Sequence, residues 1–205
     1  VRLERGVEWV AKEKIKGMAK RSDLALLMVD AEEGVTDQDA AIASMALDFG
    51  MSVIVLFNKM DCLEGEAGED KRWNLERSRD LKMAFLRWCP QLEISALTGK
   101  GLKALRTQIH SILGEREQRV GTGELNRLFE KKFKEHPHPM ISGGRIAKFY
   151  YMSQVRSSPP EFVLFGNLKK KDVHFSFERY VKNTLRENFG FWGTPIQLHF
   201  RKHSR

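Results

Sequence analysis

The spacing of apolar residues changes character along this chain, and the changes mark out its elements. Up to about Arg21, Val7, Val10, Ala11, Ile15 and Met18 fall near helical spacing in a charged background, which predicts an amphipathic helix. Leu24-Ala25-Leu26-Leu27-Met28-Val29 is a continuous apolar run that stops on Asp30, the pattern of a strand buried on both faces in a parallel sheet. Thr36-Asp37-Gln38-Asp39 predicts a capped helix start with acids at the positive end of the dipole, and Gly50 closes that helix after Phe49. A second apolar run, Val53-Ile54-Val55-Leu56-Phe57, ends abruptly on Asn58-Lys59-Met60-Asp61. The alternation continues with a helix over Leu75 to Trp88, a strand over Gln91 to Ile94 and a helix over Leu102 to Leu113 behind the Gly99-Lys100-Gly101 turn. Strands each followed by a helix predict an α/β parallel sheet with right-handed crossovers, and ligands bind such sheets at the carboxyl ends of the strands.

Beyond Leu113 the rhythm breaks at Gly114-Glu115-Arg116-Glu117-Gln118-Arg119-Val120-Gly121. A helix is predicted over Glu124 to Glu135, stopped by His136-Pro137-His138-Pro139. Strands are predicted over Arg145 to Met152 and Glu161 to Phe165, on either side of Ser157-Ser158-Pro159-Pro160. Phe177 to Phe189 is a strong amphipathic pattern ended by Gly190, and Ile196 to Arg201 alternates as a half-buried strand should. The organisation expected is an α/β domain over 1–113, a linker over 114–121, and a separate α+β domain over 122–205 in the order α-β-β-α-β.

Composition adds limits. A chain of 205 residues can bury two cores, and 41% hydrophobic with 30% charged residues is ordinary for a globular protein. No apolar run approaches the roughly 18 residues of a membrane span, so no membrane partner is expected. Cys62 and Cys89 form no CxxC and no basic-then-apolar leader is present, which points to a reducing cytoplasm. The first residue, Val1, suggests a sequence that begins inside a longer protein. Charge is the informative quantity: 1–113 carry 17 Lys+Arg against 18 Asp+Glu, while 114–205 carry 18 against 9, so all of the net +8 comes from the second part. That asymmetry suggests a neutral domain joined to one that favours a polyanion.

Asn58-Lys59-Met60-Asp61 sits where a ligand of a parallel sheet belongs, and its chemistry suits guanine. A carboxylate at Asp61 can accept from both N1–H and the exocyclic amine, a paired contact that adenine cannot match. Asn58 would tie neighbouring loops together and reach the base, and the aliphatic stem of Lys59 would cover the ring. The competing reading is a chance tetrapeptide, which average composition produces in about a few per cent of chains this size. The next strand ends in Ser95-Ala96-Leu97, which lies beside the first site if the strands are neighbours, and there the Ala96 N–H can donate to a purine O6.

These residues resemble the translation-factor-type GTPases, whose guanine-specificity motifs are NKxD and SAx; Asn58, Lys59, Asp61, Ser95, Ala96 and Leu97 are the corresponding nucleotide-binding residues. Within that superfamily the chain resembles the C-terminal portion of the Der (EngA) family, bacterial proteins with tandem G domains and a KH-like C-terminal domain. The resemblance is carried by Asp23 through Asp39, by both guanine motifs, by Glu135-His136 with its prolines, by Pro159-Pro160-Glu161-Phe162-Val163-Leu164-Phe165-Gly166-Asn167, by Phe177-Glu178-Arg179-Tyr180, and by Gly193-Thr194-Pro195-Ile196. It implies a partial P-loop GTPase (Ras-like) sheet followed by a KH-like domain. It also implies GTP and GDP as ligands, with hydrolysis serving maturation of the large ribosomal subunit and the KH-like domain on rRNA. GxxxxGK[ST] occurs nowhere and no DxxG precedes the first strand. The family places both earlier, so Val1 to Arg21 would match the switch II region. The phosphate cradle and the Mg2+ ligands would come from N-terminal G-domain portions in cis, and this chain alone is expected to hydrolyse no GTP. Without a P-loop strand beside it, the Leu24–Val29 strand is expected to leave an apolar edge open, giving poor solubility or a compensating contact. The rival reading is a non-catalytic module that binds RNA or the ribosome through 114–205.

For RNA the candidates are Arg145, Lys148, the loop Lys169-Lys170-Lys171, the helical set Arg179, Lys182 and Arg186, and Arg201 with Lys202. The excess of positive charge favours nucleic acid over a merely solvated helix face. The GxxG loop of standard KH readers is missing, and Ser142-Gly143-Gly144-Arg145 does not replace it, so contact is expected to be electrostatic and shape-based. Phe149, Tyr150 and Tyr151 can stack bases, although packing in the domain core is the better expectation for Phe149 and Tyr151. His136 and His138 read as a helix stop, since no second cluster of metal ligands accompanies them.

Overall fold

The computed structural model describes residues 16–18, 21–135, 140–141, 145–167 and 173–202. The expected N-terminal helix therefore lies outside the described residues except for the helical residues 16–18. Two units are present, one of 1–114 with 192–195 and one of 115–191 with 196–205.

The first unit is built on three parallel strands in the order β1-β2-β3: β1 Leu24–Asp30, β2 Ser52–Asn58 and β3 Gln91–Glu93. The helices are α1 Asp37–Asp48, α2 Glu69–Lys82 and α3 Leu102–Glu117. β2 is the central strand, and its side chains divide by parity as a pleated strand requires. Val53, Val55 and Phe57 enter a core with residues of α1 and α2, while Ile54 and Leu56 enter another with Ile94 and Ile112 of α3. Both faces being covered explains why this strand reads as an unbroken apolar run. β1 is an edge strand among the described residues, and Leu26 and Met28, 44% and 55% exposed, line its uncovered face.

Local chemistry sets the helix starts. Thr36 caps α1 in a reciprocal box with Asp39, the Thr36 hydroxyl accepting from the Asp39 N–H (3.1 Å) and the Asp39 carboxylate accepting from the Thr36 N–H (2.8 Å). α2 begins six residues before the position expected from the apolar spacing: Glu69 and Asp70 favour its N-terminus, and with Leu75 its one fully buried residue it offers little apolar period to read. Its expected C-terminal part is instead the tighter turn Ala84–Leu86. α3 continues through Gly114 to Glu117, so the first residues of the expected linker are helical. Gly193 and Thr194 have a place in this unit: the Gly193 carbonyl accepts from the Val53 N–H (2.8 Å), and the hydroxyls of Ser52 and Thr194, both fully buried, share a hydrogen bond of 3.0 Å.

The second unit contains α4 Thr122–Glu135, a short hairpin of β4 Met140–Ile141 and β5 Arg145–Ile146, then β6 Phe149–Arg156, β7 Glu161–Gly166, α5 Phe175–Phe189 and β8 Gln197–Lys202. The main sheet has the order β6-β7-β8, antiparallel then parallel. The expected α-β-β-α-β order holds, with the hairpin added. The strand expected over Arg145 to Met152 is broken because the side chain of Asn167 takes the place of ladder partners, its Oδ1 accepting from the Lys148 N–H (2.8 Å) and its Nδ2 donating to the Ile146 carbonyl (3.1 Å). Leu125 and Phe129 of α4, Val181 and Leu185 of α5, and Met152, Phe162, Leu164, Leu198 and Phe200 of the sheet form one core, so both helices cover the same sheet face.

One register detail corrects the sequence reading. Phe149 pairs with Gly166 and Tyr151 with Phe165, so two steps along β6 match one along β7, and Tyr150 is a bulge. The bulge moves Tyr151 to the face opposite Phe149. Phe149 packs among Phe133 and Phe177 with ring centroids at 4.8 and 4.7 Å, as expected of a core residue. Tyr151 is not in the core: its ring stacks on Phe165 across the other face and is 39% exposed.

Candidate guanine-binding site

The carboxyl ends of the three parallel strands are locked to one another. Asp30 lies beside Asn58 in the β1–β2 register, and the Asn58 carbonyl accepts from the Ala31 N–H (2.9 Å). The Phe57 carbonyl accepts from the Ile94 N–H (2.8 Å), and the Ile94 carbonyl in turn accepts from the Met60 N–H (3.2 Å). Asn58-Lys59-Met60-Asp61 and Ser95-Ala96-Leu97 are thereby brought to one place, as their order along a parallel sheet requires.

Asn58 ties the two segments together: its Oδ1 accepts from the Ala96 N–H at 2.9 Å. Among the described residues its Nδ2 has only the thioether of Met28, 3.7 Å away, as a weak acceptor. The Ala96 amide assigned to a purine O6 is thus engaged by Asn58, and a base would compete for or share that donor. Immediately after β2 the chain reverses through Lys59, which has left-handed backbone angles (φ 67°, ψ 30°), into a tight turn over Met60–Leu63. Met60 and Leu63 drive that turn by entering the core, at 3% exposure each. Asp61 is carried to the surface between them.

Asp61 is the chemical centre. The Ser95 hydroxyl against its carboxylate is the largest influence holding this acid below its ordinary value, and partial burial works in the opposite direction. Ser95 is fully buried, and its Oγ also accepts from the Thr98 N–H (3.1 Å), which fixes the loop on which Ala96 and Leu97 stand. Among the described residues, Asp61 Oδ1 is buried and has no hydrogen-bond partner. An ionised carboxylate with an unmet buried acceptor is expensive unless a donor arrives. Leu97 stands at the rim, 86% exposed.

Lys59 is tethered by residues that the motif did not disclose. Its ammonium pairs with Asp30 and lies 3.7 Å from Glu32, which itself pairs with Lys71 of α2 at 2.8 Å. Asp30 is held below the usual carboxylate range first by Lys59, Glu32 by Lys71, and Lys59 is raised by Asp30. The signal available in the sequence was the acid at the end of the first strand; its register opposite Asn58 gives it the role of anchoring the lysine head, so that the stem is free to lie along a ring.

Among the described residues, the basic residues of the second unit do not form one surface. Lys169, Lys170 and Lys171 lie outside the described residues, as do His136, His138 and 142–144, and of Arg145 only the backbone is described, paired with Ile141. Arg186 is corrected from the solvent-facing set: it is 5% exposed, in the last turn of α5, where the Glu115 carboxylate packs 3.2 Å from the Cβ position of Gly190. Lys182 spends its charge on Glu178 (2.7 Å), and exposed Arg179 lies over the Phe175 ring at 5.8 Å. Lys148, Arg201 and Lys202 are exposed, and no acid pairs with them among the described residues.

Two family models divide the chain between them: the elongation factor Tu GTP-binding domain matches 7–115, and the KH-domain-like C-terminal domain of EngA bacterial GTPases matches 119–201. The chain belongs to the EngA (Der) family of GTPases. It is 40% identical over 204 residues to a GTPase Der of Thermomicrobium roseum, covering 100% of this chain and 44% of that protein. It is 40% identical over 189 residues to that of Syntrophotalea carbinolica (92% and 42%), and 40% over 182 residues to that of Citrifermentans bemidjiense (89% and 40%). The chain therefore spans less than half the length of these curated relatives. Family membership accounts for the α/β parallel sheet followed by a KH-like unit. No helix among the described residues is long and apolar enough to cross a membrane.

Proposed function

We propose that this chain forms the base-recognition half of a guanine-nucleotide site in a Der-type GTPase that acts in the assembly of the large ribosomal subunit, with the basic second unit contacting rRNA in the cytoplasm. The observation that carries the nucleotide part is the Asp61 carboxylate, kept ionised by Ser95 and left with a buried Oδ1 without a donor. Guanine supplies what that oxygen lacks. Its N1–H and exocyclic amine point the same way as a pair of donors, whereas adenine presents an acceptor at N1. The Asn58 amide would meet the base beside Asp61, and the Ala96 N–H, now donated to Asn58 Oδ1, would be shared with the base. The Lys59 stem and exposed Leu97 flank its faces, where an apolar side chain gains by burial.

The 205 residues contain no GxxxxGK[ST], so the phosphates, Mg2+ and hydrolysis would fall to the complete family protein, and to this chain only the choice of base. Binding by the isolated chain is accordingly expected to be weak and base-dependent. Amide NMR of the chain during titration with GDP and with ADP tests this. GDP is expected to move the Ala96 and Leu97 signals, while ADP leaves them in place. Equal responses to both nucleotides, or none to either, would remove the basis of the proposal.

The RNA part rests on charge: 114–205 carry 18 Lys+Arg against 9 Asp+Glu. Its test is salt-dependent binding of RNA by the chain, lost as ionic strength rises.

A further inference from the structure

The bulge at Tyr150 has a chemical result on the face of the second unit's sheet that the helices leave uncovered. By placing Tyr151 opposite Phe165, it sets two aromatic rings parallel on that face, with centroids 4.4 Å apart and planes 13° from parallel. Tyr151, the outer member on the edge strand, keeps 39% of its surface open. Cations lie near the pair at the same end of the sheet. Arg201 is opposite Phe165 in the β7–β8 register and shares its face, and the Lys148 carbonyl accepts from the Asn167 N–H (3.0 Å) directly after Gly166. Both cations are exposed, and neither is neutralised by an acid among the described residues.

We infer that the Tyr151–Phe165 pair is a stacking platform for a base of single-stranded RNA, with Lys148 and Arg201 on the flanking phosphates. An exposed ring on the edge strand, backed by a second ring and with cations nearby, supplies both terms of single-strand recognition: a flat apolar surface for the base and charge for the backbone. A base laid on Tyr151 extends the stack outward to three members, with Phe165 holding the tyrosine ring in place from behind. A duplex cannot use the platform, because its bases are already stacked on each other. The inference rests on the proposed RNA-binding role of this unit and specifies which surface reads the strand and in what form. It shifts the site from α5, where Arg186 is buried and Lys182 is paired, to the opposite side of the sheet.

The test is fluorescence anisotropy with the full chain, a labelled uridine strand of about 12 nucleotides and an RNA duplex of equal length, using wild type, Tyr151→Phe and Tyr151→Leu, each checked for an unchanged melting curve. Tyr151→Phe keeps the ring and is expected to bind like wild type. Tyr151→Leu keeps apolar bulk without a π face, and is expected to weaken single-strand binding about 5- to 100-fold while duplex binding stays within about twofold. Phe165→Leu, which removes the backing ring, is expected to have a smaller effect in the same direction. If Tyr151→Leu binds the single strand as wild type does, the platform is refuted while salt-sensitive binding by wild type leaves the RNA reading intact. If wild type binds neither RNA, both fail together.

Discussion

Two glycines in the loop that carries Ser95 allow the geometry of the site to be tested by stability alone. Gly99 and Gly101 have almost the same backbone, at φ +80° and +82°, in the left-handed region that a side chain disfavours. Their surroundings differ completely. A Cβ at Gly99 meets nothing within 4 Å, whereas at Gly101 it would lie 2.5 Å from the Glu93 carbonyl oxygen and 2.9 Å from Cγ2 of Ile94. Gly99→Ala should therefore cost only the conformational term, about 1 kcal/mol. Gly101→Ala adds a clash with backbone that cannot move aside, about 1–3 kcal/mol more, for a total of about 2–4 kcal/mol. The displaced atoms belong to Glu93 and Ile94, directly before Ser95, so the same substitution should also loosen the base site. All four tryptophans, Trp9, Trp73, Trp88 and Trp192, belong to the first unit, so tryptophan fluorescence in urea follows that unit alone. With a urea slope of about 1–3 kcal/mol per molar, the midpoint for Gly101→Ala is expected at least about 0.7 M below wild type and clearly below Gly99→Ala. Equal midpoints for the two variants would refute the close approach of Gly101 to the end of β3.

Other outcomes follow from the same contacts. Ser95→Ala removes the hydroxyl that favours the ionised Asp61 and caps the Thr98 N–H, so the Asp61 pKa followed by carboxyl NMR should rise and the response to GDP should weaken roughly tenfold; an unmoved pKa would count against Ser95 as the cause. Asp30 and Glu32 have lowered values, so their ion pairs with Lys59 and Lys71 contribute stability that is complete above the unfolded carboxylate range and lost as pH falls through the lowered folded values. Urea midpoints should be insensitive to these groups above about pH 5 and fall below about pH 4, with a shallower fall in Lys59→Met; identical acid limbs would contradict this. In the second unit, Gln154, 5% exposed, accepts from the Val120 N–H (2.7 Å) and donates to the Gln118 carbonyl (3.0 Å), so Gln154→Leu should strand both groups and cost about 2–4 kcal/mol by hydrogen exchange of that unit's core amides.

What the sequence disclosed and what it concealed have physical reasons. β1, β2 and the meeting of Asn58–Asp61 with Ser95–Leu97 were legible because a central parallel strand is apolar on both faces, so polar groups at its end stand out. Thr36 and Asp39 announced α1 because a capping box is a local interaction. The start of α2 was hidden because that helix buries so little, and the break after Ile146 because it depends on Asn167, far along the chain. Tyr151 was misplaced because strict alternation assumes an unbroken ladder, and one extra residue at Tyr150 reverses the face of everything on one side of it. Arg186 carried the spacing of an exposed residue, but the packing of Glu115 against the end of α5 has no local signature.

The central claim is that Asp61 chooses the base, and exchanging both halves of the contact tests it. Xanthine carries a carbonyl where guanine carries its exocyclic amine, so an amide at position 61 can donate where the carboxylate could only accept. Titrations of wild type and Asp61→Asn with GDP and with xanthosine diphosphate, read at the Ala96 amide, are expected to show wild type responding to GDP and the variant to the xanthine nucleotide. A variant that keeps the wild-type preference would contradict the account, because the base would then be chosen by some other group.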